Sequence, residues 1–285
     1  MWTDLQSYVD RFAVLWIKKL TCPQNCDNIL NCHNNLYVDR FAAMGNELIA
    51  RKSNYLIESS YKLTLAELRV TYLGVSKLFT PKPLSLQRTQ RIYAKEYAKV
   101  FGVDKTVAYR QVADASDSLL RRVVTTRFNH DGTPFGKGKY MKHQWLEKAK
   151  YSDNEGYVDI TFHECMSQYL TVLGKRYAEL NFECLKGVQS VYAVRLWELL
   201  IQYRKDGERF IMLDDFRMWF KLEKKYPMYA DLRKRVIEPA INELEEKADL
   251  DITWDVIKKG RKVIGFDFMF EESQQVDMFK LKSPG

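Results

Sequence analysis

The sequence predicts an α+β fold in which one module, three helices followed by a β-hairpin, occurs twice. The chain has 285 residues, enough for two ordinary domains. Helical and strand-like periodicities follow one another in the same order in both halves. The segments RQVADASDSLLRRVVTTRF (110–128) and KRVIEPAINELEEKADLDITW (234–254) share a basic start, a valine at the third position, a leucine at the eleventh and a following strand. This order is typical of two winged-helix domains in tandem.

The first 43 residues differ in character from the rest. YVDRFA occurs at 8–13 and again at 37–42, and NCDNIL is followed directly by the similar NCHNNL. Repeats this short cannot stack into a solenoid. We therefore expect 1–43 to be an extension with little fixed structure, ahead of a first domain over 44–186.

The first domain opens with helical signals. Thr64 and Glu67 have the spacing of a capping box and begin a helix with apolar side chains along one face, which two downstream prolines end. A second helix is predicted over 87–101, with Gly102 as its C-terminal stop. Asp104 is the expected cap of a third helix, KTVAYRQVADASDSLLRRV (105–123).

Strand-like runs follow the third helix. They cover 123–128, 143–151 and 157–162. Between the first two, GTPFGKGKY (132–140) lacks the spacing of a phosphate-binding P-loop, and we interpret it as a flexible basic hairpin tip. A short helix over 165–174 and a linker up to Gly187 complete the domain.

The second domain, over 187–270, repeats this order and precedes a C-terminal tail over 271–285. Helices are predicted over 190–204, 214–222 and 229–247, and strands over 208–213, 250–257 and 263–270. Asp214 is the expected cap of the middle helix. Between the last two strands, KKGRK (258–262) predicts a tight turn with four basic side chains.

The helix over 229–247 has a cationic start. At about 100° per residue its apolar side chains fall on one half, whereas Lys234 and Arg235 fall on the other. Arg233 falls over the apolar half and must lean outward, and Pro239 is expected to bend the helix. In a helix-turn-helix, the N-terminal part of the second helix meets base edges in the major groove, where arginine and lysine bind guanine. The sequence therefore predicts DNA recognition by this helix, with KKGRK as an adjacent wing tip.

The charge balance agrees with a polyanionic partner. The formal net charge is +8, and the segment 45–186 carries 23 basic and 15 acidic side chains. Such an excess suits a nucleic acid or a membrane surface. The sequence contains no run of about 18 apolar residues and no basic-then-apolar leader. Its five cysteines are an odd number in a long chain, which fits a reducing cytoplasm better than a disulfide framework. We therefore expect a cytoplasmic protein that does not enter a membrane.

Several long motifs resemble one known family. SVYAVRLWELLIQY, YADLRKRVIEPAINEL and KKGRKVIGFDFMF resemble the initiator replication proteins of iteron-bearing theta plasmids, the Rep_3 type. SNYLIESSYKLTLAELR and TVAYRQVADASDSLLRR are similar to the first domain of that family. The resemblance covers about 45–270.

The resemblance implies paired winged helices that bind repeated DNA sites, the iterons, at a plasmid origin in a bacterial host. It implies that monomers help to melt neighbouring AT-rich DNA, and that dimers formed through the first domain repress the protein's own gene. Host replication initiator and replicative helicase are the implied protein partners. It also implies that the start of the 229–247 helix reads bases, that the third helix of the first domain adds contacts, and that Trp197 and Trp219 belong to the core. With the wing tip included, the predicted DNA-binding residues are Arg233, Lys234, Arg235, Tyr229, Lys258, Lys259, Arg261, Lys262, Lys105, Thr106, Tyr109 and Arg110.

Two alternatives stay open. A rolling-circle initiator would nick its origin and needs two histidines one residue apart, which the four histidines do not provide. A plain winged-helix repressor would share the DNA chemistry. HECMS (163–167) lacks the second histidine of a zinc protease helix, and the C-x3-C-x5-C-H spacing near the N-terminus is unusual for zinc. We therefore expect a protein that is not an enzyme, without a metal or cofactor.

Overall fold

The computed structural model describes residues 48–78, 85, 87–129, 131–171 and 176–272, all of which belong to one compact unit, Glu47–Gly285. The predicted extension over 1–43, the prolines expected to end the first helix, and the predicted tail beyond Glu272 lie outside the described residues. Within the described part, no helix is long and apolar enough to cross a membrane.

The first half of the described chain is a winged helix with an added pair of strands. Its helices are α1 (Asn54–Ile57), α2 (Leu65–Ser76), α3 (Ala94–Phe101), α4 (Lys105–Leu119) and α5 (Ser167–Leu170). Its strands are β1 (Ile49–Ser53), β2 (Thr89–Tyr93), β3 (Val123–Thr126), β4 (Met141–Gln144), β5 (Leu146–Ser152), β6 (Tyr157–Phe162) and β7 (Tyr177–Asn181). Helices α2, α3 and α4 pack on one another, and the β3–β4 hairpin forms the wing.

Three predicted helix ends of the first domain are confirmed, whereas the third helix ends at Leu119 and not at 123 as predicted. The Thr64 hydroxyl accepts from the Glu67 N–H (3.3 Å) and the Glu67 carboxylate accepts from the Thr64 N–H (2.6 Å), which is a complete capping box. Gly102, with φ 64°, ends α3 in the left-handed region that glycine tolerates. The Asp104 carboxylate accepts from the Thr106 N–H at the start of α4 (2.7 Å).

The segment predicted as one helix over 87–101 is instead a strand followed by a helix. Strand β2 pairs antiparallel with β6, and α3 begins only at Ala94. Across this pair the Arg91 guanidinium donates to both carboxylate oxygens of Asp159 (2.8 and 3.0 Å), and Ile92 is buried. The helix prediction is wrong for 89–93 because pairing with a distant strand outweighs a weak local periodicity.

The single strand predicted over 143–151 is two strands. The chain turns at the fully buried Trp145, so that β4 pairs with β3, whereas β5 joins the sheet β2–β6–β5. The short helix predicted over 165–174 is confirmed only as a 3₁₀ turn (Glu164–Met166) and α5; the segment 172–175 lies outside the described residues.

The segment up to Gly187 is not a plain linker. Strand β7 pairs antiparallel with β1 over Ile49–Ser53, and a 3₁₀ turn (Phe182–Leu185) follows. Leu180, Phe182 and Leu185 are buried, so this segment closes the core of the first half.

The second half is another winged helix. Its helical elements are α6 (Val191–Ile201), α7 (Leu213–Trp219), α8 (Tyr229–Leu232), a π turn (Arg233–Ile237) and α9 (Glu238–Lys247), and its strands are β8 (Glu208–Met212), β9 (Leu250–Lys259) and β10 (Lys262–Glu272). The three strands form an antiparallel sheet in the order β8–β10–β9. Phe266, Phe268 and Phe270 are buried on one face as predicted, whereas Ile264 is half-buried beside a bulge between Val263 and Gly265. The tandem winged-helix fold is confirmed.

Asp214 does not cap its helix. Helix α7 begins one residue earlier than predicted, and Met212 holds the cap position without a side-chain hydrogen bond. Asp214 and Asp215 lie in the first turn, where the helix dipole favours negative charge.

The helix over 229–247 is continuous and contains a π turn. Its predicted apolar half is buried: Leu232, Val236, Ile237, Ala240, Ile241 and Leu244. Pro239 has no N–H to donate to the preceding turn, and the backbone absorbs this loss by widening over Arg233–Ile237. The Glu238 N–H consequently donates to the carbonyl of Arg233, five residues earlier.

Buried polar groups join the two halves. Lys52 on β1 donates to Glu198 on α6 (2.7 Å), and Arg209 on β8 donates to Glu58 (2.7 Å). Nearby, Trp197 is buried as predicted from the resemblance. Trp219 is only partly buried against the core, with the Arg209 guanidinium 5.5 Å from its ring.

Candidate nucleic-acid interface

Helix α7 and the helix over 229–247 form the helix-turn-helix of the second half, and Arg217 fixes the turn between them. Its guanidinium donates to the carbonyls of Lys225 (3.0 Å), Tyr226 (2.8 Å) and Pro227 (3.3 Å), just before α8 begins. Tyr226 has φ 50°, an uncommon backbone conformation for a residue other than glycine. Arg217 therefore stabilises the turn that places the start of the following helix.

The cationic start of this helix is exposed. Lys234 is exposed, and the Arg235 side chain is 66% exposed, with its guanidinium 3.7 Å from the carboxylate of Asp231. Neither side chain is buried against protein. Both therefore project from the N-terminal part of the helix, as the sequence predicts, and their role in base recognition stays a prediction.

Arg233 is held differently from its two neighbours. Its side chain leans outward and is 54% exposed, and its Nε donates to the Glu238 carboxylate (2.7 Å). Its guanidinium lies 5.7 Å from the ring of Trp254 on β9. Residues five apart come close to alignment in a π turn, so the turn brings Glu238 to Arg233. Arg233 therefore points towards the hairpin.

The wing tip lies between β9 and β10, next to this helix. Gly260, with φ 63°, occupies the tight turn. All four basic side chains of the tip are exposed: Lys258, Lys259, Arg261 and Lys262. The predicted arrangement of a cationic helix start beside a cationic wing is therefore present.

Tyr229 is more enclosed than the prediction implies. Its ring is half-buried and lies 6.3 Å from the ring of Phe266. Its hydroxyl oxygen is buried and has no hydrogen-bond partner, and burial raises the pKa of this group. The residue packs at the base of the helix and wing.

In the first half, the predicted contacts lie at the start of α4. Lys105, Thr106 and Arg110 are exposed, and the Thr106 hydroxyl donates to Asp104. The Tyr109 hydroxyl donates to the Asp153 carboxylate, and burial together with this bond raises the pKa of Tyr109 to about 12. Tyr109 is thus held by its own chain, whereas Lys105 and Arg110 present free surface cations.

Sequence reasoning omitted the first wing from the site. Lys137, Lys139 and Lys142 are exposed at or next to the tip of the β3–β4 hairpin, and Lys142 lies 5.4 Å from the ring of Tyr140. The signal was available, because GTPFGKGKY (132–140) predicts a basic hairpin tip. Arg217 and Trp254 were also missed; their contacts are tertiary and leave no local pattern.

His163 and His143 have local structural roles, whereas the C-x3-C-x5-C-H motif near the N-terminus lies outside the described residues. In HECMS, the His163 ring nitrogen Nδ1 accepts from the Cys165 N–H (3.2 Å) and caps a 3₁₀ turn. His143 is buried and stacks on Tyr169. Across the described ranges no group of three or more His, Cys, Asp or Glu side chains is arranged to hold a metal ion.

Two helix-turn-helix units, each followed by a basic wing, define a tandem winged-helix protein with cationic faces suited to a nucleic-acid duplex. The chain belongs to the initiator replication protein family. The family model "Initiator Replication protein, WH1" matches residues 49–201, and "Initiator Rep protein, WH2" matches 212–270.

Curated relatives and a solved structure agree with this family. A replication initiation protein of Escherichia coli is 27% identical over 241 residues, which are 82% of this chain and 72% of the relative. The PI protein of Escherichia coli is 22% identical over 254 residues, 79% of this chain and 83% of the relative. The fold is similar to that of the Pi initiator protein, solved in complex with iteron DNA, with a TM-score of 0.66 and 20% identity over 80% of this chain and 98% of that one.

Proposed function

We propose that this chain initiates replication of a plasmid by binding iteron DNA at the origin and promoting opening of the neighbouring DNA. The observation that carries the proposal is the exposed pair Lys234 and Arg235 at the start of a helix whose other half is buried. The anchored half fixes the helix on the domain, so its cations can enter a major groove in one orientation. The Pi initiator, similar in fold, was solved with iteron DNA.

The other exposed cations supply affinity in this proposal. Phosphate contacts position a protein on the duplex, whereas base contacts specify the sequence. The wing tip over 258–262 and the start of α4, with Lys105 and Arg110, are exposed and cationic on separate winged helices. One chain would therefore hold two successive stretches of one duplex.

We further propose that a dimer, formed through the first winged helix, represses the protein's own gene, and that monomer and dimer interconvert. The resemblance of the first-domain motifs to the plasmid initiators supports this part, as it does recruitment of the host initiator and replicative helicase. On the same ground we propose a non-enzymatic protein of the bacterial cytoplasm.

Footprinting on the DNA that flanks the gene tests the proposal. Protection of direct repeats beside an AT-rich tract supports initiation, whereas protection of a single operator favours a plain repressor. Incubation with supercoiled plasmid and Mg²⁺ tests the nicking alternative, because a covalent protein–DNA product would contradict a non-enzymatic initiator.

The base-reading step is tested on the protected site. Lys234→Ala or Arg235→Ala should weaken binding to it by about 1–3 kcal/mol, with a much smaller loss on scrambled DNA. Lys247→Ala, at the far end of the same helix and paired with Glu243 (3.2 Å), is the matched control. An equal loss on both duplexes would show a phosphate contact instead.

A further inference from the structure

A polar cleft of about 430 Å³ separates the start of the 229–247 helix from the wing. Its lining includes the basic side chains Arg233, Lys258 and Arg261, and one acidic residue, Asp255. Glu238, which pairs with Arg233 from outside the lining, adds a second carboxylate, and three cations against two carboxylates still leave a positive excess. A cleft of this sign and size suits a small anionic group.

The geometry of helix and strand directs two of these cations into the cleft. Ion pairing with Glu238 and the neighbouring Trp254 ring hold Arg233 over the wing. Alternate residues of a strand share a face, so Lys258 lies on the same face of β9 as Trp254. Lys259 follows Lys258 directly and lies on the opposite face.

Tyr229 also lines the cleft, but its hydroxyl does not open into it. The hydroxyl oxygen is buried and has no hydrogen-bond partner, so an anion in the cleft does not reach it in this arrangement. The groups that the cleft offers to an anion are therefore its three exposed cations, Arg233, Lys258 and Arg261.

We propose that this cleft binds one backbone phosphate of the DNA duplex, with Arg233, Lys258 and Arg261 as its cationic contacts. The inference rests on the proposed DNA-binding function and divides the cationic helix start into two roles. Arg233 clamps the backbone and sets how deeply the helix enters the groove. Lys234 and Arg235 are left to read bases.

The experiment uses the full chain, a duplex that it selects from a random pool, and a scrambled duplex of equal length. Arg233→Gln and Lys258→Ala should each weaken binding to both duplexes by the same factor, roughly tenfold, and lower the slope of log affinity against log salt by about one. A second set of duplexes carries a neutral methylphosphonate at one backbone position at a time. At one position, the neutral group should weaken DNA binding by the wild-type protein. It should weaken binding by Arg233→Gln or by Lys258→Ala little further, because each variant has already lost its contact with that phosphate.

Lys259→Ala is the internal comparison, because its side chain leaves the opposite face of the wing. The methylphosphonate at that position should weaken DNA binding by Lys259→Ala as much as it weakens binding by the wild-type protein. Urea unfolding midpoints of the variants should match the wild type, which separates lost contacts from lost folding.

Three results overturn the inference: a loss for Arg233→Gln confined to the selected duplex, unchanged binding of both cleft variants, or coupling of Arg233 and Lys258 to different phosphates. Failure of the proposed function looks different, since the wild-type protein would then select no duplex from the random pool.

Discussion

Replacing Glu198 by glutamine removes the anion from a buried cluster that joins α6 to β1 and to Tyr61. The Glu198 carboxylate accepts from Lys52 on β1 (2.7 Å), from the Tyr61 hydroxyl (3.1 Å) and from Arg195 on its own helix. The side chains of Lys52 and Glu198 are fully buried, and that of Arg195 is nearly so. The substitution leaves two buried cations without their counter-charge.

Two routes give the size of the effect. Burial opposes the charged form of Glu198, but the charges and hydrogen bonds of Lys52 and Arg195 outweigh it and lower the pKa of Glu198 from 4.5 to about 2. That lowering corresponds to about 3 kcal/mol in favour of the ionised Glu198 side chain, whereas burial lowers the pKa of its partner Lys52 and so works against the charged pair. Removing one partner of a buried ion pair typically costs about 3–5 kcal/mol. We therefore expect Glu198→Gln to lower the free energy of unfolding by about 3 kcal/mol.

Urea unfolding at pH 7, followed by tryptophan fluorescence, measures the loss from midpoint and slope. The pH dependence supplies an independent check. Because the folded-state pKa lies below the unfolded-state value, the contribution of Glu198 is complete above about pH 4.5 and is lost as the pH falls towards 2. The difference between wild type and variant should therefore shrink over that range.

Glu179→Gln is the control, since Glu179 pairs with Arg51 (2.8 Å) where both side chains are more than a third exposed. Its loss should stay below about 1 kcal/mol. A loss that small for Glu198→Gln, or a difference from wild type that does not change with pH, would refute the reasoning.

Three further substitutions test other parts of the structure. Arg217→Ala should weaken binding to the selected duplex more than to scrambled DNA, because the turn before the recognition helix loses its support; equal losses would contradict this role. Thr64→Ala removes half of the capping box with Glu67 and should cost about 1 kcal/mol in urea unfolding; no loss would show that the box is dispensable. Gly74→Ala places a methyl group 2.8 Å from Ile160 Cδ1 and should cost about 1–3 kcal/mol, and an unchanged thermal midpoint would show that the core yields.

The tandem order of helices and hairpins was predictable because it is encoded locally. The capping box at Thr64, the stop at Gly102 and the cap at Asp104 each depend on neighbours within three residues or on one backbone angle. The half-apolar helix over 229–247 and the alternating phenylalanines of β10 have clear periods. These predictions hold because tertiary packing stabilises the same helices and strands that the local sequence favours.

The missed strands have partners far away in the chain. Strand β2 pairs with a segment some seventy residues later, and β1 pairs with β7 near Gly187. The burial of β2 does not alternate clearly, so local periodicity favoured a helix there. The burial of β7 does alternate, but its exposed position 177 is a tyrosine, so the alternation is not visible in the residue types and the segment was interpreted as a linker.

The sequence predicted which cations lie at the candidate site, but it did not predict that Arg233 makes different contacts from Lys234 and Arg235. The sequence predicts that the side chains of Lys234 and Arg235 face outward, and that Arg233 starts over the apolar half and leans outward. It also predicts a bend at Pro239. It does not predict the π turn, which pairs Arg233 with Glu238 and aims it at the wing. That outcome depends on how the backbone absorbs a missing N–H while the apolar half stays packed.

Selection of duplexes from a random pool, by the wild-type chain and by Arg235→Ala in parallel, tests base recognition most directly. The wild type should enrich one defined motif, and the variant should lose the preference at one or two base pairs while keeping its affinity for scrambled DNA. Enrichment of the same motif with equal strength at every position would contradict base reading by this helix.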